Sequence, residues 1–266
     1  MCNSSYSSIW EKEINKFPEL KKFQALHESN NVSSKILQNF DLIKDNVKKI
    51  SLTGGEPLLI KDHLKLLELL IENNKTDVEI TITTNLTILN PNWQDKITKF
   101  KTVHWTVSID AIGQIGEYIR WPNYSWDVID RNLDWLFKYG HSIAINATLT
   151  TYSLLDIDKL IDYYIDKRKN TIHPFDLWFS VAEHPAALSI YHMPQSFKEV
   201  VLKKLDYSIN LLDKIAGHEN SRNTLQGVVD VLKKPDCSLN NDFYTYTTML
   251  DKQRNQDFFE TFKGII

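Results

Sequence analysis

The stretch that decides the fold is Lys49-Ile50-Ser51-Leu52-Thr53-Gly54-Gly55-Glu56-Pro57-Leu58-Leu59. Its short apolar run is typical of the end of a buried strand, and two glycines, a carboxylate and a proline follow. Residues 61–73 then predict an amphipathic helix, because leucines recur there at helical spacing. A strand, a glycine turn and a helix in this order let backbone groups approach a ligand, since glycine has no Cβ. Such turns are more often purely structural, so the stretch alone does not establish a binding site.

Composition limits the classes of protein that this chain can be. It has 266 residues, 42% of them hydrophobic and 24% charged, which is typical of a globular protein with a substantial core. The net charge of −3 gives no sign of nucleic-acid binding. The sequence has neither an apolar run of about 20 residues, as a membrane span needs, nor a signal peptide. Two cysteines cannot form a disulfide scaffold, so we expect a cytoplasmic protein without a membrane partner.

Strand and helix patterns alternate along the chain. Strands are predicted to end at Thr53 and to occupy residues 77–85, 103–110, 142–150 and 175–181, with helical patterns between them. From Gln195 onward only helical periodicity is present, in three segments. Strands separated by helices indicate an α/β protein with a parallel sheet. Five strands are too few for a closed eight-stranded barrel, so a curved partial barrel and a doubly wound sheet both remain open.

Each predicted strand ends in polar residues, and these ends are the candidate site. A single ending of this kind simply caps the next helix in most cases. Several in succession are harder to explain so, because the carboxyl ends of parallel strands meet at one edge, where ligands bind. The polar endings are Thr53 to Glu56, Thr83 to Asn85, Ser108 with Asp110, Asn146 with Thr148, and Ser180 with Glu183 and His184.

The residue types at these ends suit a ligand that carries an ammonium group, a sugar and a carboxylate. Glu56 and the carbonyls of the Gly-Gly turn can accept hydrogen bonds from an ammonium. Ser108 and Asp110 can bond ribose hydroxyls, as acidic residues do at dinucleotide sites. Arg120 can grip a carboxylate with two parallel hydrogen bonds, although a surface ion pair with Glu117 explains it equally well.

The combination of these residues resembles the radical S-adenosylmethionine (radical SAM) superfamily. Thr53-Gly54-Gly55-Glu56-Pro57 is similar to its GGEP motif, and Thr84-Asn85 to its third-strand motif. Ser108-Ile109-Asp110 with Arg120 resembles its ribose and carboxylate contacts, and the polar strand with Asn146 and Thr148 resembles the branch that carries a twitch domain. The resemblance covers residues 1–190 and implies cofactor binding by Gly54, Gly55, Glu56, Pro57, Thr84, Asn85, Ser108, Asp110, Arg120, Asn146 and Thr148.

The resemblance also implies a fold and a chemistry. The fold would be a partial (β/α)6 TIM-like barrel over residues 1–190, followed by a helical extension over 191–266 that covers the open side. A [4Fe–4S] cluster would cleave S-adenosylmethionine reductively, and the 5′-deoxyadenosyl radical would take hydrogen from a substrate. The partners would be a small-molecule or peptide substrate and an electron-donor protein.

The sequence departs from the family at its cysteines. Cys2 resembles the third cysteine of the cluster motif CxxxCxxC and would be a metal ligand, but the first two cysteines and the first strand are absent. Thiolates hold such clusters, and Cys237 lies too far along the chain to be counted as one of these ligands. We therefore expect a radical SAM protein truncated at its N-terminus and inactive as this chain alone.

Two other interpretations stay open. The first is a non-catalytic protein that binds S-adenosylmethionine or a nucleoside without a cluster. The second is an unrelated α/β enzyme that uses Glu56, Asp110 and His184 as acid–base groups. The second would be favoured if the polar strand ends proved to lie on unrelated surfaces.

Overall fold

The computed structural model describes residues 33–234 and 242–266, and elements are numbered over these ranges. Cys2 and Cys237 lie outside them, so the structure does not test the metal role predicted for Cys2. The strands are β1 (Lys49–Leu52), β2 (Glu79–Thr84), β3 (Val103–Ser108), β4 (Ser142–Leu149) and β5 (Phe175–Val181). All five predicted strands are therefore present. Their ends differ from the predicted ones by no more than two residues.

Twelve α-helices lie in the described ranges, and their bounds are as follows. They are α1 (Ser33–Gln38), α2 (Phe40–Ile43), α3 (Lys61–Glu72), α4 (Pro91–Ile97), α5 (Gly113–Ile119), α6 (Trp126–Lys138), α7 (Thr151–Leu154), α8 (Ile157–Lys169), α9 (Gln195–Leu212), α10 (Glu219–Leu232), α11 (Asp242–Arg254) and α12 (Phe258–Thr261). Short 3₁₀ turns occupy Pro57–Leu59, Ala186–Leu188 and Ile190–His192. None of the helices in the described ranges has the length and apolar character needed to cross a bilayer.

The strand order decides between the two predicted architectures. The sheet runs β1-β2-β3-β4-β5, and every neighbouring pair is parallel. A doubly wound sheet reverses its winding at a switch point, which sends helices to both faces. Here the order never reverses, so right-handed crossovers put the connecting helices on one face only. The prediction of an α/β partial TIM-like barrel is confirmed, and the doubly wound alternative is wrong.

The two faces of the sheet differ sharply in polarity. On β2, Ile80 and Ile82 are fully buried under the helices, while Thr81 and Thr83, which alternate with them, are only partly buried. The same alternation on β3 places Trp105 and Val107 in the core. A parallel sheet normally has apolar residues on both faces, because both are covered. The polar, partly exposed face is therefore the concave side of the barrel, and we call it the open face.

The C-terminal helices continue the outer helical layer past edge strand β5. Helix α9 packs on α8 and α10, and α10 lies beside β5, where the Ser221 hydroxyl donates to the Leu177 carbonyl. Helices α11 and α12 return to α5, where the Tyr118 hydroxyl donates to Asp251 at 2.8 Å. The sequence predicted three helical segments covering the open face. The described residues after Gln195 form four α-helices, and Trp178 on that face stays 50% exposed.

Candidate functional site

The turn after β1 is tied to the end of β2 through Glu56. Gly54 has φ +130°, a conformation that residues with a Cβ rarely adopt, so this position requires glycine. The Glu56 carboxylate accepts hydrogen bonds from Thr84 Oγ1 at 2.6 Å, from the Asn85 amide at 2.9 Å and from the Leu58 amide at 3.2 Å. The predicted motif residues of the first two strands therefore form one connected unit.

This arrangement gives Glu56 a structural task that the sequence did not reveal. Burial raises the pKa of its carboxyl above the ordinary value, and the three hydrogen bonds and the charge of Arg120 oppose that rise in part. An ammonium at Glu56 would have to share a carboxylate that three protein donors already contact. The turn glycines Gly54 and Gly55 are exposed, so their carbonyls remain open to such a group. Pro57 is buried at the start of a 3₁₀ turn, and its carbonyl lies 3.1 Å from His63 Nδ1.

A buried ion pair lies at the next strand end. Asp110 follows β3 and is 2% exposed, with its Oδ2 at 2.9 Å from Arg120 Nε. Its Oδ1 accepts a hydrogen bond from the Thr148 amide at 2.8 Å, which joins the end of β3 to β4. Burial alone would raise the pKa of Asp110, but Arg120 and the Thr148 amide outweigh it and hold that pKa below its usual range.

This geometry changes the interpretation of both residues. Arg120 makes an ion pair with Asp110, whereas Glu117, the alternative partner that the sequence left open, accepts from the Trp126 amide at 2.9 Å. Each carboxylate oxygen of Asp110 already has a contact within the protein, so a ribose hydroxyl would have to share an oxygen with Arg120 or the Thr148 amide, and the predicted ribose contact stays a prediction. Asp110 instead fixes the position of Arg120, whose side chain keeps 20% of its surface exposed.

The ends of β3, β4 and β5 form a polar strip on the open face. Ser108 pairs in register with Asn146, and Thr148 pairs with Ser180. Asn146 Oδ1 accepts a hydrogen bond from the Ser180 hydroxyl at 3.1 Å. Ser108, Asn146 and Thr148 are partly buried, and Ser180 is exposed. Hydroxyl and amide groups on three adjacent strands are thus available to one ligand.

Within the part of the chain that the structure describes, the predicted residues of the strand motifs lie at one edge of the sheet. Hydrogen bonds link the turn after β1 to β2, β3 to β4, and β4 to β5. His184 is exposed in the segment after β5, next to a cis Pro185. Glu56 and Asp110 are each held by separate partners, and among the described residues no hydrogen bond or ion pair joins either carboxylate to His184. The scattered arrangement that would have favoured an unrelated enzyme is not found.

Sequence reasoning missed helix α5, which ends at Ile119, immediately before Arg120. The signal was present, because Ile115, Tyr118 and Ile119 recur at three- and four-residue spacing and are all buried. Gly113 and Gly116 in this segment argued against a helix, since glycine is unfavourable in helix interiors. Position 116 requires glycine for a steric reason, because a Cβ at this position would lie 2.4 Å from the Ala111 carbonyl oxygen.

The fit to an iron–sulfur cluster is poor among these residues. In the described ranges, no group of three or more His, Cys, Asp or Glu side chains is placed to hold a metal ion. The whole sequence contains two cysteines, both outside those ranges. A cluster bound by CxxxCxxC takes three thiolates, so these 266 residues cannot complete that ligand set by themselves.

Comparison with known proteins gives matches of three kinds. Residues 29–164 match the family model described as the radical SAM superfamily. The GTP 3′,8-cyclase of Staphylococcus carnosus is 32% identical over 123 residues, which are 46% of this chain and 36% of that protein. The GTP 3′,8-cyclase of Campylobacter lari is 42% identical over 107 residues, 40% of this chain and 32% of that protein. The chain thus matches about a third of the length of these curated relatives.

Solved structures show similar but distant arrangements. Streptococcus suis SuiB bound to S-adenosylmethionine aligns over 59% of this chain and 36% of its own, with a TM-score of 0.44 and 24% identity. anSMEcpe with bound AdoMet and a Cp18Cys peptide aligns over 69% and 51%, with a TM-score of 0.47 and 14% identity. These scores are too low to carry an argument, so the assignment depends on the sequence model, which matches half of the chain. This chain belongs to the radical SAM superfamily.

Proposed function

We propose that this chain is the S-adenosylmethionine-binding part of a radical SAM enzyme. The observation that carries the proposal is the connected polar rim. Glu56 joins the first two strand ends, Asp110 joins Arg120 to β4, and Asn146 joins β4 to β5. Such a rim at the carboxyl edge of a parallel sheet is where small polar ligands bind.

The superfamily's cofactors are S-adenosylmethionine and a [4Fe–4S] cluster. When bound, they supply reductive cleavage of S-adenosylmethionine to a 5′-deoxyadenosyl radical, which abstracts hydrogen from a substrate. The rim fits S-adenosylmethionine, because exposed carbonyls, partly exposed hydroxyls and amides, and an arginine lie on one edge. The cluster does not fit the residues of this chain alone, so no step is derived through it.

Each part of the rim has a proposed task. The carbonyls of Gly54 and Gly55 accept hydrogen bonds from the ligand ammonium. Ser108 and Asn146 bond the ribose hydroxyls in place of Asp110, which is buried and engaged. Arg120 binds the ligand carboxylate, and Asp110 holds the guanidinium in position. Glu56, Pro57, Thr84, Asn85 and Thr148 shape the rim through the contacts described above.

Several finer assignments remain proposals. We divide the chain into a core over residues 1–190 and an extension over 191–266, because the last described strand ends at Val181. The twitch-domain branch stays a prediction, since the described residues after Gln195 form helices. The substrate is a small molecule or a peptide, and the reaction would draw on an electron-donor protein.

Equilibrium dialysis with labelled S-adenosylmethionine tests the proposal. We expect the chain to bind the ligand and Asn146→Leu to bind it about two- to tenfold more weakly, the equivalent of one hydrogen bond of about 0.5–1.5 kcal/mol. The matched control is Asn210→Leu, which changes an exposed asparagine on α9. No binding at millimolar ligand, or equal loss in both variants, would contradict the proposal.

The cysteine count favours one second candidate, a binder of S-adenosylmethionine without redox chemistry. Anaerobic reconstitution with iron and sulfide distinguishes the two. Absence of a stable brown protein, with S-adenosylmethionine still bound, supports the binder. A stable cluster on this chain alone supports the enzyme.

A further inference from the structure

A cleft on the outer side of the molecule is separate from the rim. It has a volume of about 340 Å³ and lies between α5, the segment after it, and the junction of α11 and α12. Its described lining residues belong to no strand, and they are Gln114, Glu117, Tyr118, Trp121, Asn123, Tyr124, Gln256 and Thr261. The volume lies within the range of small-molecule sites, about 300–1,000 Å³.

The chemistry of the lining is specific. Trp121 is 36% exposed and supplies a stacking surface, Tyr118 and Tyr124 are largely buried, and three side-chain amides supply donors and acceptors together. Among the described lining residues the only full charge is the Glu117 carboxylate, one oxygen of which accepts from the Trp126 amide. A phosphate would find no cation in this set. Side-chain amides pair with the edges of purine bases, and aromatic rings stack on their faces.

One wall of the cleft carries an unsatisfied polar group. Tyr124 is 7% exposed, and its buried hydroxyl has no hydrogen-bond partner in the described structure. Buried hydroxyls are nearly always paired, so this one calls for an explanation. Because that oxygen is itself closed to solvent, a ligand in the cleft would contact other atoms of Tyr124 rather than its hydroxyl.

The walls of the cleft are held in place by the fold. The Tyr124 ring lies against Gly116, where a Cβ would come within 3.3 Å of its Cε1. Tyr118 is fixed by its hydrogen bond to Asp251, and the Arg254 guanidinium lies 5.5 Å from the Trp121 ring centre. A cleft with fixed aromatic walls is pre-organised, which lowers the cost of binding.

We propose that this cleft binds an uncharged purine base or nucleoside. The inference is independent of the rim, because it draws on different residues. Tyr124 lies between the two sites, with the Arg120 guanidinium 5.9 Å from its ring centre.

Calorimetric titration of the full chain with adenosine and guanosine tests this inference. We expect one equivalent of purine nucleoside to bind with saturating S-adenosylmethionine present. Trp121→Ala should weaken binding about tenfold by removing a stacking surface, and Gln114→Leu should weaken it about two- to tenfold. Gln114 is exposed, whereas Trp121 is 36% exposed, so circular dichroism and thermal unfolding of both variants are recorded beside the titration. The control is Tyr139→Ala, which removes a half-exposed aromatic residue three positions before the start of β4.

Four outcomes would overturn the inference. The first is no binding of either nucleoside at millimolar concentration to protein with native circular dichroism. The second is equal binding by Trp121→Ala and wild type. The third is loss of binding in Asn146→Leu or on addition of S-adenosylmethionine, which would place the nucleoside at the rim. The fourth is equal binding of tryptophan amide, which would replace the purine by an aromatic side chain.

Discussion

The buried pair of Asp110 and Arg120 gives the sharpest test of how the rim is built. Asp110→Asn keeps the shape of the side chain, and the Asn oxygen can still accept from the Thr148 amide. The substitution removes the negative charge, however, and turns an NH₂ group toward Arg120 Nε, which is also a donor. The variant therefore removes the negative charge that faces the Arg120 guanidinium, at a site where the carboxylate is 3% exposed.

The expected cost follows from this burial. Removing one partner of a buried ion pair costs about 3–5 kcal/mol. The Arg120 side chain keeps 20% of its surface in contact with solvent, which places the cost near the lower end, at about 3 kcal/mol. For a chain of this size the corresponding fall in Tm is roughly 6–12 °C.

Urea unfolding followed by circular dichroism at pH 7 measures the effect. The matched control is Asp134→Asn, which breaks an ion pair with Lys167 at a 59% exposed carboxylate and should cost less than about 1 kcal/mol. The double variant Asp110→Asn/Arg120→Met should recover much of the loss, because it leaves no buried charge behind. A loss below about 1 kcal/mol in Asp110→Asn would refute this account of the pair.

The pH dependence provides a second readout on the same variant. The pKa of Asp110 is lowered in the folded protein, so its stabilisation is fully present above the unfolded value of about 3.9. That stabilisation is lost as the pH falls through the lower folded value. The stability difference between wild type and Asp110→Asn should therefore shrink below about pH 4. A difference that stays constant down to the acid transition would contradict the assignment.

Two further predictions concern stability. The pKa of Glu56 is raised in the folded state, so its favourable contribution is lost as the pH rises through that folded value. Wild type should therefore lose stability relative to Glu56→Gln as the pH rises above the unfolded value of about 4.3, and the opposite slope would be incompatible with burial. Gly116→Ala should cost about 1–3 kcal/mol, because its Cβ would lie 2.4 Å from the Ala111 carbonyl oxygen. By contrast, Gly227→Ala, at an exposed position of α10 with nothing near the added Cβ, should stabilise the protein by about 0.5–1 kcal/mol. Thermal unfolding of both alanine variants checks this, and equal effects would show that the crowding at residue 116 is relieved by a shift of the backbone.

Local patterns predicted most of the elements because each depends on short-range preferences. The alternation of Ile80 and Ile82 with threonines gave β2, and the leucines of residues 61–73 gave α3. Helix α5 was missed because its two glycines lower local helix preference, while packing against Ala111 and Tyr124 requires one of them. Helix propensity describes an isolated segment, so it does not include contacts between that segment and residues elsewhere in the fold.

By itself, the sequence determined the family and the strand ends that would meet. The motif residues follow one another at the spacings that parallel βα units impose, and their order can be read directly from the sequence. Only the tertiary structure decided which polar groups remain open to a ligand. The ribose contact predicted for Asp110 would have to share its carboxylate with Arg120 and the Thr148 amide, which the sequence did not reveal. The reason is physical: a buried charge must find its partners within the protein, and those partners lie on other elements of the fold.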